Sequence, residues 1–272
     1  MIDCLSLEFA YARVCAGLGK RPDERLWQQL RSSRTVPVLL ELVRSSPAAD
    51  AVSGIPPGAS GDLIELAFRQ QLRSRIHDVA AWSPPEWRAA LLYTRHLIDL
   101  PALLCLLTDE APPAWIAADA ELAPYALTAA AERRTALAGG PLARLAAAAL
   151  EEPPLAPTLA RLARAQPATL HRVLDSWSVE WRARWPAVSE EFAASLLRVA
   201  QMLKDHLRRF GAMAADDANS ARQFLSASMA SLLRRCPAQP AALFAYLAVF
   251  ALDLERLRGE FVRRACRAGA SA

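Results

Sequence analysis

Apolar and polar positions along this chain recur with the period of an α-helix. Between Leu243 and Arg264 the sequence LFAYLAVFALDLERLRGEFVRR begins as an unbroken apolar run that ends at Asp253. From there Leu254, Leu257, Phe261 and Val262 recur between Glu255, Arg256, Arg258 and Arg263, the spacing of one helical face. The pattern predicts one long helix, buried on most sides in its first half. Its second half keeps a narrow apolar stripe inside a mainly cationic face. A second amphipathic segment spans Asp62 to Trp82, where Ile64, Phe68, Leu72, Ile76 and Val79 line one side and Glu65, Arg69, Arg73 and Asp78 fill the others. No run of alternating β-branched residues occurs, so strands are not expected.

Nineteen prolines punctuate this pattern and set the expected boundaries. Pro22 before Asp23 and Glu24 reads as a first-turn proline with acids that complement the helix dipole. Thr35 and Pro37 open a short helix that ends near Ser45 to Pro47. Ser83-Pro84-Pro85-Glu86 has the form of a capping box, which predicts a helix over Trp87 to Ile98, with Asp99 to Leu107 as a further helix or a kinked continuation. From Pro112 to Leu150 alanine-rich helices are broken at Gly139-Gly140-Pro141. Pro153, Pro154 and Pro157 mark the one linker-like stretch. Long helices follow over about Pro167 to Trp185, Pro186 to Phe210, Asp217 to Arg235 and Pro240 to Arg267. The expectation is a single all-α domain over 1–272, with units at 1–108, 109–185 and 186–272.

Composition agrees with a folded helical chain. Hydrophobic residues make up 53% and charged residues 22%, which excludes disorder. Ten glycines among abundant alanine, leucine and arginine suit helices. The net charge of +4 is scattered and gives little pull on an anionic partner. Five cysteines, at positions 4, 15, 105, 236 and 266, form no CxxC pair. That argues for a reducing compartment and against a disulfide scaffold or a zinc site. Cys15 and Cys105 lie in apolar runs and read as small buried hydrophobes. The opening MIDCLSLEF carries acids at Asp3 and Glu8 and lacks the basic-then-apolar order of a signal peptide. The longest apolar stretch, Ala241 to Leu252, is well short of the ~20 residues of a membrane-crossing helix. A cytosolic chain, or one peripheral to a membrane assembly, is expected.

Candidate chemistry is sparse. GxGxxG, GxxxxGK, GxSxG and HExxH are all missing from the sequence. His77-Asp78 has the form of a metal-dependent phosphohydrolase pair, but such a site needs an earlier histidine and His77 is the first. Asp216-Asp217 with Asn219 resembles half of the acidic cluster that holds magnesium diphosphate in helical prenyl-transfer enzymes; no second acidic motif accompanies it, and helix capping by Asp216 or Asp217 is the simpler reading. His96, His171 and His206 lack metal-ligand spacing and read as surface or boundary residues. No catalytic, cofactor-binding or metal-binding residue is expected. Trp177, Trp181 and Trp185 fall at i, i+4 and i+8, beside Arg182 and Arg184. They make a partner-binding ridge, a stacking platform for single-stranded nucleic acid, or an aromatic seam between long helices. The last is favoured, because nucleic acid recognition lacks the basic stripe it needs.

Two stretches carry a resemblance to a known family. One is the terminal helix, through Tyr246, Leu247, Asp253, Glu255, Leu257 and Arg258. The other is the opening, through Tyr11, Ala12, Arg13 and Val14, followed by the leucine pattern of Leu26, Leu30, Val38, Leu39 and Leu42. Together they resemble the C/d family of V-type ATPase stalk proteins, named d in the eukaryotic pumps. Roughly half of the chain takes part, and Pro112 to Pro167 least. The resemblance implies a funnel-like, all-α bundle of related helical units about a pseudo-threefold axis, here in shortened form. The echo between Asp99-Leu100-x-x-Leu103 and Asp253-Leu254-x-x-Leu257 is what such repetition predicts. It further implies a non-catalytic central-stalk subunit that joins the axle subunits to the membrane rotor ring in ATP-linked proton or sodium transport, without a cofactor and on the cytoplasmic face. The rival expectations are a soluble helical scaffold or adaptor and a magnesium-dependent helical enzyme centred on Asp216 and Asp217.

Overall fold

The computed structural model describes residues 6–151, 167–210 and 215–269. Among the described residues every regular element is helical and no strand forms, so the fold is all-α. The chain divides into two compact units, residues 1–88 with 226–272 and residues 89–225.

The first unit contains α1 (Leu7–Leu18), α2 (Glu24–Ser32), α3 (Val36–Arg44), α4 (Gly61–Trp82) and the closing helix of the chain, Pro240–Gly269. Side-chain oxygens start three of these. Ser6 accepts from the Phe9 amide at 3.2 Å, Asp23 from Leu26 at 2.7 Å and Ser60 from Leu63 at 3.3 Å. Pro22 therefore precedes the cap of α2 and does not sit in its first turn. The closing helix packs against α4, α1 and α3. It is buried without interruption from Ala241 to Val249, as its apolar run predicts. Further along, Leu254, Leu257 and Phe261 enter a core with Trp27, Leu30, Leu39, Ile64 and Phe68. Each such large side chain contributes about 1.5–3 kcal/mol on burial. On α4, Arg69 and Arg73 are buried, although the sequence places them on the polar faces; Arg69 lies 3.6 Å from Glu65.

Between α4 and the next helix, Ser83 behaves differently from the capping-box expectation. Its buried hydroxyl donates to the Val79 carbonyl at 2.6 Å, closing α4 instead of opening its successor. α5 (Pro85–Tyr93) then stops at Thr94, whose hydroxyl donates to the Leu91 carbonyl at 2.6 Å. α6 (Arg95–Leu106) runs on through Pro101. The break thus falls at Thr94, earlier than the sequence suggests, and Pro101 is a helix-interior residue. By length and composition Pro85–Leu106 is apolar enough to cross a membrane; 61% of its most apolar window is buried within the chain.

The second unit continues with α7 (Ala114–Ala118), α8 (Ala130–Ala138), α9 (Ala143–Leu150), α10 (Pro167–Arg182) and α11 (Glu190–Phe210). The glycine-proline break separates α8 from α9 as expected. Pro186 lies in the connection after α10 instead of opening the next helix, because Ser189 caps α11 through the Phe192 amide at 3.3 Å. α10 packs against α9 and α11, burying Val173, Leu174, Trp177, Trp181 and Leu196. α12 (Ala215–Arg235) leads to the closing helix, which is α13. The stretch around Pro153, Pro154 and Pro157 lies outside the described residues.

Candidate functional site

The residues of the terminal motif form a bonded network in the first unit. Asp253 accepts from Arg21 Nε at 2.5 Å and from Nη2 at 2.9 Å, and the same Nη2 donates to Ser226 Oγ at 2.7 Å. Arg258 donates to Glu65 and Glu255, each at 2.7 Å. Desolvation opposes its charge, but the Glu255 and Glu65 carboxylates outweigh that and hold the guanidinium pKa above its ordinary value. Arg75 Nη1 donates to the Tyr246 hydroxyl at 3.0 Å, and its guanidinium lies 4.7 Å over the Phe250 ring that stacks on Tyr246. Burial pushes the Tyr246 phenol pKa up against the pull of Arg75. The Tyr246 ring also presses on Gly17 so closely that a Cβ there would meet the phenol oxygen. A larger residue there would force the Tyr246 ring to shift.

The opening motif is less enclosed. Arg13 is exposed and its guanidinium rests 4.8 Å over the Trp82 ring. The Tyr11 phenol pKa is raised by its hydrogen bond with Cys15, by burial and by the nearby Cys15 and Cys236 thiols. Both α1 and the terminal motif belong to one unit, and α1 packs on α13.

Two arginines outside the motif are more deeply held than any within it. Arg264, only 4% exposed, donates to the carbonyls of Leu30 at 2.7 Å, Arg31 at 3.1 Å and Ser33 at 2.9 Å, and to the Glu260 carboxylate at 2.6 Å. It satisfies the end of α2, where helical carbonyls lack partners. Arg133, fully buried on α8, does the same for the end of α6, donating to the carbonyls of Leu106, Thr108, Glu110, Leu127 and Thr128 at 2.6–3.0 Å. The sequence carries a signal for both. Arg264 falls on the Leu257–Phe261 stripe and Arg133 lies one turn before buried Leu137, positions where a cation must find oxygen ligands inside.

In the second unit the tryptophan series turns inward. Trp177 stacks on Tyr93 at 6.3 Å and on Trp181 at 5.2 Å, and Trp181 meets Trp185 edge-on at 4.8 Å. Trp177 and Trp181 are buried. Arg184 covers Tyr93 at 3.9 Å and reaches the Glu180 carboxylate at 3.0 Å, where Arg144 also pairs. Burial raises the Tyr93 phenol pKa. Trp177 and Trp181 are therefore an internal seam with Tyr93 and do not form an exposed ridge or a nucleic-acid platform, while Trp185 is half-buried at the end of the series. The opposite side of α10 is the open one, with Val179 63% exposed and Arg182 exposed. Two shallow grooves flank Arg182. One, of about 460 Å³, runs between α10 and α11 along Ser178, Ala194, Leu197, Arg198 and Gln201. The other, of about 480 Å³, is lined by Val179, Trp185, Pro186 and Ala193.

The remaining candidates are dispersed. His77 and Asp78 are both exposed on α4. Asp217 is exposed in the first turn of α12 and Asn219 is half-buried; the Asp216 side chain lies outside the described residues. His96, expected at the surface or boundary, is buried with its Nδ1 3.7 Å from Asp99 and its ring edge-on to Tyr93 at 4.8 Å. Asp99 and Asp253, the two aspartates of the sequence echo, are both buried. His171 and His206 are half-buried, and burial followed by Arg222 lowers the His206 pKa. Cys105 and Cys236 are buried and Cys15 is half-buried; burial raises the Cys105 thiol pKa. Cys4 and the Cys266 side chain lie outside the described residues. Among the described residues no three histidine, cysteine, aspartate or glutamate side chains gather as metal ligands would. No protein-family model matches the chain, and no curated protein matches it.

Proposed function

We propose that the chain is a non-catalytic central-stalk subunit of a V-type rotary ATPase, a shortened relative of the C/d family. In this role it joins the axle subunits to the membrane rotor ring from the cytoplasmic face, held there through protein partners. It carries torque between ATP turnover in the catalytic head and proton or sodium movement through the ring. The reading is carried by one observation. The two stretches of the resemblance, at opposite ends of the sequence, pack on one another in a single unit through Gly17 against Tyr246 and Arg21 on Asp253. A coupling element needs stiffness, and helices tied by charged, part-buried bonds supply it. The terminal motif is spent on internal bonds, so in this role it builds the stalk protein itself and the partners dock on other surfaces.

The test is affinity purification of the tagged full chain from gently solubilised membranes of its own cell. Recovery of rotor-ring and axle subunits is the expected result. Their absence from preparations that still hold intact rotary complexes would replace the stalk with a soluble helical adaptor, a reading that the open groove beside Arg182 favours.

A further inference from the structure

The open face of α10 and α11 sets exposed apolar side chains beside exposed cations. Leu197 is 40% exposed beside exposed Ala194 in the groove between the two helices, and Val179, 63% exposed, lines the adjoining groove. Arg182 and Arg198 are exposed and line the same groove, and neither meets a carboxylate among the described residues. The third cation of the groove, Lys204, is already held by Asp175 at 2.7 Å. Ala194, Leu197, Arg198 and Gln201 recur along α11 at helical spacing, so the channel between the two helices has the shape that accepts a third helix lying along it. An apolar floor with two uncompensated positive charges at its rim calls for an apolar stripe flanked by acids. The chain's own stretch 152–166 has the wrong sign, with Arg161 and Arg164 against Glu152.

We infer that this groove docks an acidic amphipathic helix of a partner protein, whose apolar stripe covers Ala194 and Leu197 while its carboxylates bond Arg182 and Arg198. The inference does not depend on the stalk assignment, because it follows from the surface of α10 and α11 alone. Charge gives the site its choice of partner and the apolar floor its hold.

The experiment uses the full chain and two fluorescent helical peptides of about 15 residues, the length at which an isolated helix becomes marginally stable. Both carry leucines at i, i+4 and i+7; one has glutamates on the flanks and the other lysines. In anisotropy titrations at physiological salt the acidic peptide binds about tenfold more tightly, as two rim charge pairs lead one to expect. Arg182→Glu with Arg198→Glu reverses that preference, and Leu197→Asn weakens the acidic peptide without changing which peptide is preferred. Circular dichroism melts of the variants match the parent. Equal binding of the two peptides, or acidic-peptide affinity unmoved by the double reversal, overturns the inference. So does tighter binding of phosphatidylserine-containing vesicles or of a single-stranded oligonucleotide through the same two arginines, which would make the face a membrane or nucleic-acid surface. Coming down with the rotary complex, or failing to, leaves the peptide result standing.

Discussion

The second half of α13 and the end of α10 share a kind of sequence, arginines set among large apolar residues, and the fold treats them in opposite ways. On α13 the four arginines with described side chains are all engaged: Arg256 lies 3.9 Å over Trp27, Arg258 holds two glutamates, Arg263 pairs with Glu260 and Arg264 closes α2. Around α10 the aromatic residues are internal while Arg182 and, across the groove, Arg198 face water beside exposed Val179 and Leu197. The difference teaches that an arginine-rich apolar segment announces neither a binding surface nor a core by itself. What decides is whether oxygen partners reach it from elsewhere in the chain.

The most severe way to break the comparison is to end the chain before Leu243. That removes Leu254, Leu257 and Phe261 from the first core together with the buried run from Leu243 to Val249. At about 1.5–3 kcal/mol per large side chain, the loss exceeds the ~5–15 kcal/mol that holds a domain together. Such a chain is expected to show no cooperative transition in thermal or urea melts. Next come Arg264→Met and Arg133→Met, which leave several buried carbonyls dry. Each is expected to cost about 3 kcal/mol or more, read as a lower urea midpoint. Gly17→Ala follows at about 1–3 kcal/mol, because moving the Tyr246 ring off the new methyl group disturbs its stacking on Phe250 and its bond from Arg75. In a Tyr246→Phe background the same change costs less, which a double-mutant cycle measures.

Smaller effects sharpen the contrast. Asp253→Asn weakens the bond to Arg21, whose side chain is 30% exposed; water takes up part of the lost interaction, so about 1–2 kcal/mol is expected in the same melts. Arg182→Glu with Arg198→Glu should move stability by no more than about 0.5 kcal/mol, as surface changes do. A large loss there would mean that these arginines serve the fold after all.

Much of the architecture was legible because local pattern and tertiary demand coincide. The run from Ala241 to Val249 is apolar on every side and is buried on every side, and the Gly139-Gly140-Pro141 break stands where φ/ψ preference puts it. The misreadings come where a side chain answers to something beyond its own turn. Ser83 bonds backward to Val79 although its sequence reads forward to Glu86. Thr94 ends a helix without glycine or proline, through one hydroxyl on Leu91. Arg264 finds its acceptors on α2, more than two hundred residues earlier. His96 reads as a lone boundary histidine until Asp99 and Tyr93 close over it. As for the open groove, period alone identifies the helices that line it, but which side of α10 stays wet depends on Tyr93, which the tryptophans follow inward.

The first unit is assembled from the two ends of the sequence. During synthesis the segment up to Arg88 leaves the ribosome long before α13 exists. Residues 89–225 must be made in the interval, on the order of ten seconds at about 5–20 residues per second. Throughout that wait Trp27, Leu30, Leu39 and Phe68 lack the nascent helix that will cover them. The opening third of the chain therefore stays incompletely covered until α13 is made, whereas the second unit is drawn from one continuous stretch, residues 89–225.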